Sequence, residues 1–434
     1  LVAGFLLQLI TWRTGIFLVS AVIAVLYKSV RIFPSPDSSV RISGIAFIAL
    51  LAVGLVSLAA TVAFPVNNVS APGGQYPVGT VSFMMTDPSR PELYGSAEAK
   101  GKPRRTMVQV WYPAADKSGK ATAWLPDREV HQALARFANF PDLLMSHLSV
   151  IRSNSREGAP FLNPSVRYPV IIISHGWGGS RFIHANLAEE YASHGFLVLA
   201  IDHTYGSLAV KFPDGSAAFR DNTALGDFDR DDHNNAFMDR ANILEKTYMG
   251  DTEQLLDILL EGSLALELPT VAGSVSLNAL TDKNSIGLLA HSTGAGAGYA
   301  LTLTRPEIKA YIAMDAWMEP VEKTIAPSRA AVLHIGSASW ENGKNAPLIE
   351  KTVAISAIAS SIRIQKSSHM DMAMIRYLTS IGALIQWSGT VNAKVYERAL
   401  RNITLNWFTD ILVQDSAAKA QADVALLKQT FPFY

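Results

Sequence analysis

Two short apolar runs constrain the architecture more than any other feature of this chain. Residues 169–174 (PVIIIS) and 196–201 (FLVLAI) contain almost nothing polar, and residues 183–194 between them carry the apolar spacing of a helix. A strand with one face in water alternates, so two continuously apolar strands joined by a helix form a parallel βαβ unit buried on both faces. The alternation continues toward the C-terminus. A helix is expected around residues 242–261, a strand at 286–289, a helix after Gly294, strands near 310–314, 331–335 and 362–365, and a long helix at 393–412. Upstream, residues 78–85 and 106–112 alternate in the manner of an antiparallel pair, and residues 127–151 read as helical. The expected fold is α/β, a mostly parallel sheet with helices on both faces.

The charge balance removes several function classes. Lys plus Arg and Asp plus Glu both number 37, only 17% of residues are charged, and no basic block occurs, so nucleic acid is not an expected partner. With 0 Cys there is no thiolate nucleophile, disulfide scaffold, Cys-ligated zinc or iron–sulfur cluster.

Hydrophobic residues reach 49% and concentrate at the N-terminus. Residues 45–64 (IAFIALLAVGLVSLAATVAF) carry no charge and would rise about 30 Å as a helix, the thickness of a bilayer core. Residues 1–27 are also apolar, interrupted by Arg13. Lys28, Arg31 and Arg41 outweigh Asp37 between the two stretches and place that loop in the cytoplasm. The apolar core of a signal peptide is shorter and nearer the N-terminus. The expected organisation is a membrane region over 1–64 with transmembrane helices, the second span at about 43–64, then a Pro-, Gly-, Asn- and Ser-rich linker over 65–77 and a catalytic domain over 78–434. That domain would be membrane-anchored on the periplasmic or extracellular side.

Four local features carry chemistry. Ala290-His291-Ser292-Thr293-Gly294 follows the strand at 286–289 and precedes a run of small residues. A nucleophile on a strained strand-to-helix turn needs small neighbours two before and two after it, and Ala290 and Gly294 meet that need. Ser174-His175-Gly176-Trp177-Gly178-Gly179 closes an earlier strand. Acyl transfer needs two amides to bind the oxyanion, one after the nucleophile and one from such a Gly-rich loop, here Thr293 and Trp177.

Asp315 ends the strand after the serine, 23 residues on, where one helix and one strand return the chain. Asp282 points at the other end of the nucleophile strand, and Asp371 is too close to the candidate histidine. Of ten His residues, His369 alone completes the order Ser, Asp, His on a late loop. His291 flanks the serine, His334 lies within a strand pattern, and His175 and His203 sit at strand ends where either can line the site. Trp177 and Trp317 are candidates to line an acyl pocket, and His175 joins Trp317 as a candidate substrate-binding residue.

The segments VWYPA (110–114), SHGWGGSR (174–181), YASHGFLVLAIDH (191–203), AHSTG (290–294) and AMDAWM (313–318) together resemble the platelet-activating factor acetylhydrolase family of the plasma type, within the α/β-hydrolase superfamily. The likeness runs from about Val78 to Leu412. It implies an α/β-hydrolase fold with Ser292 as nucleophile, Asp315 as acid, His369 as base and the Trp177 and Thr293 amides as oxyanion donors. It further implies hydrolysis of a short-chain phospholipid ester through an acyl-enzyme, with no cofactor.

Two other readings stand beside it: a general short-chain or polyester esterase of the dienelactone-hydrolase-like type, and an inert membrane-tethered binding module on a hydrolase scaffold. Against the second, all three residue types of a triad stand in order. No metal is expected: the run Asp227, Asp229, Asp231, Asp232 begins like a calcium loop but has Asp232 where the turn needs Gly and Met238 where a bidentate Glu belongs. The expected partners are an ester or phospholipid substrate and the membrane, with no obligate protein partner.

Overall fold

The computed structural model describes residues 44–226, 235–263, 266–340 and 343–430, with 15–16, 19–23 and 25. Its centre is a sheet of ten strands: β1 (Val78–Pro91), β2 (Pro103–Pro113), β3 (Lys120–Ala123), β4 (Arg152–Glu157), β5 (Tyr168–Ser174), β6 (Leu197–Asp202), β7 (Thr281–His291), β8 (Ile308–Met314), β9 (Ala331–Ser337) and β10 (Ala359–Ile364). Their order is β10-β9-β8-β7-β5-β6-β2-β1-β4-β3. The six strands from β10 to β6 run parallel, and β2 joins them antiparallel through pairs such as Val108 with Ile201.

The continuously apolar strands fill both faces, as their composition requires. Ile171 and Ile173 of β5 face one core with Leu187, Leu400, Ile403 and Trp407, and Val170 and Ile172 face the other with Leu255, Leu259 and Tyr299. The helices divide accordingly. Those on the first face are α3 (Ala185–Ser193), α7 (Ala393–Leu412) and α8 (Ala417–Thr430); α4 (Asn235–Glu261), α5 (Thr293–Thr304) and α6 (Asn345–Ile355) cover the second. α2 (Arg128–Phe137) is the first part of the stretch expected as one helix to 151. It ends where Asn139 adopts φ 55° before Phe140-Pro141, and the chain resumes as short turns up to Val150.

The membrane expectation is corrected here. The apolar N-terminal run does form a helix, α1 (Gly44–Ala63), but among the described residues no helix is long and apolar enough to cross a membrane. The last turn of α1 is fastened to the domain. The Ala63 carbonyl accepts from the Ser380 amide at 2.9 Å and the Thr379 hydroxyl at 2.7 Å, and the Ser380 hydroxyl donates to the Val62 carbonyl at 2.6 Å.

The span at 43–64, the membrane localisation and the placement of the domain beyond a membrane are therefore withdrawn. Most of the first apolar stretch, with Lys28, Arg31 and Arg41, lies outside the described residues, as does the acidic run Asp227 to Asp232. Residues 65–77, expected as a linker, lie against the domain: Val69 is buried and donates to the Arg152 carbonyl, Gly73 donates to Glu190, and Arg401 donates to the Ser70 and Ala71 carbonyls.

Candidate active site

Strand register builds the site. The last pairs along the central ladder are Ala290 with Ser174, His291 with Met314 and Met314 with Ile335, so β5, β7, β8 and β9 end nearly level. The next residues, at the carboxyl edge where open α/β sheets bind ligands, are His175, Ser292, Asp315 and Gly336.

Ser292 stands between β7 and α5 with φ 55° and ψ −121°, a conformation that is strained for a residue with a side chain. The close packing behind it explains the small residues around it. A Cβ on Gly294 would lie 2.5 Å from the His175 carbonyl oxygen, one on Gly296 2.1 Å from that of Trp317, and one on Gly176 2.7 Å from the Ser292 Cβ. The Ser292 amide donates to the Met314 carbonyl at 3.0 Å, and the Trp317 amide donates to the Ser292 carbonyl at 3.1 Å, clamping the turn to the end of β8.

Asp315 (φ 41°) is 1% exposed, and both of its oxygens accept hydrogen bonds. Oδ1 accepts from the Ser337 amide at 2.6 Å; Oδ2 accepts from the Ser337 hydroxyl at 2.6 Å and from Nδ1 of His369 at 3.0 Å. The His369 amide donates to Oγ of Ser339 at 2.9 Å. Its ring lies on Trp340 with centroids 4.4 Å apart, and against His291 at 4.6 Å. His291 stays neutral beside it: burial, then the neighbouring His369, pushes its pKa well below the usual histidine value. Asp371 fixes the loop by accepting from the amides of Ser368 at 2.8 Å and Gly389 at 2.9 Å and by pairing with Arg376. The structure thus joins Asp315 to His369 directly. Ser292 stands at the end of the adjacent strand with no hydrogen bond to His369.

The loop holding Trp177 packs on Ser292 through Gly176. Thr293 is the first residue of α5, so its amide has no carbonyl four residues back within the helix. Trp317 is mostly buried and packs on Phe237 with centroids 6.0 Å apart. His175 lies under the loop, 1% exposed, with Nδ1 2.7 Å from the Gly176 carbonyl oxygen and Nε2 2.8 Å from Oγ of Ser207. Burial drives its pKa well below the ordinary value, with His203 adding to the effect.

Sequence reasoning missed the support beneath this loop. Oγ of Ser174 lies 2.9 Å from Nε2 of His203, whose Nδ1 lies 3.0 Å from Oδ2 of Asp251. Arg104 grips Asp251 through Nε and Nη2, each at 2.6 Å, and Glu92 through Nη1 at 2.7 Å. Burial opposes the Asp251 charge, but Arg104 overcomes it and holds the pKa well below the usual carboxylate range. This Ser–His–Asp array resembles a catalytic relay in its bonding, yet all three residues are buried at 1% exposure or less. It braces the end of β5, and only the position of His203 at a strand end gave a sign of it. Among the described residues no group of His, Asp or Glu is placed to hold a metal ion.

Comparison with known proteins decides the family. The model of the family "Platelet-activating factor acetylhydrolase, isoform II" matches residues 62–424. The chain belongs to the platelet-activating factor acetylhydrolase family. Its relatives include the platelet-activating factor acetylhydrolase of Bos taurus, 26% identical over 311 residues (67% of this chain, 68% of the relative), and that of Canis lupus familiaris, 24% identical over 310 residues (67% and 68%). A ferulic acid esterase from Streptomyces cinnamoneus superposes with a TM-score of 0.59 at 21% identity, covering 82% of this chain and 98% of that one, and shares its fold. Like these acetylhydrolases, the chain is a carboxylic ester hydrolase.

Proposed function

We propose that this acetylhydrolase-family chain cleaves a short-chain phospholipid ester, with Ser292 as nucleophile, His369 as base and Asp315 as the group that orients the base. The observation that carries the reading is the 3.0 Å hydrogen bond from Nδ1 of His369 to Asp315, at the strand edge where Ser292 occupies a left-handed turn. With Nδ1 held by a buried carboxylate, Nε2 is the free nitrogen and takes the serine proton as Oγ attacks the ester carbonyl. Asp315 stabilises the imidazolium that forms. The Trp177 and Thr293 amides stabilise the oxyanion, the alcohol leaves with the proton from His369, and water activated by the same imidazole releases the acyl group.

The family match and the names of the relatives support an acetylated phospholipid as substrate. The test is hydrolysis of p-nitrophenyl acetate, butyrate and palmitate by the protein and by folded Ser292→Ala and His369→Ala variants. Activity lost in both variants, with acetate and butyrate preferred, upholds the proposal; full activity in Ser292→Ala refutes it. Equal rates on all three chain lengths would leave a serine esterase and remove the short-chain assignment.

A further inference from the structure

An apolar cavity of about 180 Å³ adjoins the oxyanion loop, with Trp124, Leu134, Phe137, Trp177, Met370 and Trp387 in its wall. Trp177 comes from the loop and Met370 follows His369, so the cavity lies beside the position where the ester reacts. Arg220 is the one charged residue among the described residues of the wall. Its Nε donates to Oδ1 of Asn222 at 2.8 Å, and its guanidinium carbon lies 5.3 Å from the centre of the Phe137 ring and 5.7 Å from that of Trp177. Nη1 is close enough to Gly178 that a Cβ there would come within 2.7 Å of it.

Four other enclosed arginines have carboxylate partners: Arg104 pairs with Glu92 and Asp251, Arg181 with Asp127 and Asp202, Arg376 with Asp371, and Arg401 with Glu190. Arg220 has none among the described residues, although it is half-buried and burial pulls its pKa down. A partly desolvated, unpaired cation is costly to keep, and a ligand anion would repay that cost. Gly176 packs on Ser292 and Gly178 packs on Arg220, so two residues of loop place the guanidinium on the order of 10 Å from the serine.

We infer that Arg220 binds an anionic group of the substrate, a carboxylate or phosphate a few bonds from the scissile ester, and makes the site selective for anionic esters. The inference rests on the proposed hydrolase reading and deepens it. A carboxylate would come from the acyl side of the substrate and a phosphate from the alcohol side.

The experiment compares three substrates with the full chain: p-nitrophenyl butyrate, which is neutral; the mono-p-nitrophenyl ester of glutaric acid, which carries a carboxylate on the acyl group; and a 2-acetyl glycerophospholipid, which carries a phosphate on the alcohol. Arg220→Gln is expected to lower kcat/KM about ten- to hundredfold on at least one anionic ester, mainly through KM, as fits the loss of one charge-assisted hydrogen bond. Butyrate hydrolysis stays within about twofold, and Arg220→Lys recovers part of the loss. The ester that suffers identifies the source of the anion. An equal fall on all three substrates means that Arg220 only packs on Phe137 and Trp177, and no fall on any overturns the inference outright. If butyrate hydrolysis survives Ser292→Ala, the assignment of Ser292 as nucleophile is what fails, and this inference goes with it.

Discussion

Asp315 meets His369 with its own donors already in place. The Ser337 amide and hydroxyl fix both carboxylate oxygens at 2.6 Å, so the acid cannot rotate away from Nδ1 of His369. Removing the negative charge while keeping the shape, as in Asp315→Asn, offers an amide to the histidine and favours the wrong tautomer; kcat is expected to fall by about 10⁴ with KM little changed. Ser337→Ala keeps the amide donor and loses only the hydroxyl, so a fall of about tenfold is expected. Steady-state kinetics on p-nitrophenyl butyrate separates the two. Equal losses would mean that Ser337 matters for folding and not for holding the acid. Asp315 was legible because strand ends and chain order single it out. Ser337 was not, since nothing in Gly336-Ser337-Ala338 marks a serine that bonds a residue 22 positions earlier.

The turn between β7 and α5 works because three elements meet there with no space for a methyl group. On Gly176 an added Cβ would lie 2.7 Å from the Ser292 Cβ, and on Gly296 2.1 Å from the Trp317 carbonyl oxygen. Gly176→Ala is expected to leave the circular dichroism spectrum intact and to cut kcat by at least about a hundredfold, because the loop carrying the Trp177 amide must move off the serine. Gly296→Ala pushes the body of α5 away from the end of β8, and its expected cost is in stability, about 1–3 kcal/mol by urea unfolding. If Gly176→Ala kept full activity, the Trp177 amide would not be an oxyanion donor.

At this scale the sequence was readable where burial is two-sided: β5, β6, β8 and α7 are continuous apolar runs or clear helical faces, and their expected positions stand within a few residues of the observed ones. The strand β4 (RSNSRE), second from the edge of the sheet, has no apolar residue and takes its conformation from pairing with β1 and β3. Register with neighbours made it a strand, and register cannot be read from six polar residues. The N-terminal run misled for a related reason. An apolar helix of about twenty residues has the same composition whether it meets lipid or ends on a protein loop, and the Thr379 and Ser380 contacts that fasten α1 come from more than 300 positions away.

The whole molecule buries five histidines near the carboxyl edge of its sheet, and each of them makes the fold less stable in acid. Burial lowers the pKa values of His184 and His334 to about 4, and those of His175, His203 and His291 also lie below the ordinary value. Between about 6.5 and 4 the unfolded chain therefore binds protons that the folded chain refuses, so stability rises with pH in that window and is lost as pH falls through it. For His184 and His334 the loss is on the order of 3 kcal/mol each, large against the 5–15 kcal/mol of a typical domain.

Glu245 acts in the opposite sense. Its carboxyl is buried without a hydrogen-bond partner among the described residues, burial raises its pKa well above the usual range, and stability tied to it declines as pH rises past about 4.5. A single-site variant isolates the histidine contribution from that background. His334→Gln keeps a donor for Thr352, whose hydroxyl lies 2.8 Å from Nε2 of His334, and removes the titrating ring. Urea unfolding midpoints measured from pH 7.5 to 4.5 are expected to fall for the native chain and to fall less steeply, by up to one proton, for the variant. Parallel curves would mean that His334 is protonated in the folded state, and the buried-neutral assignment for this cluster would be wrong.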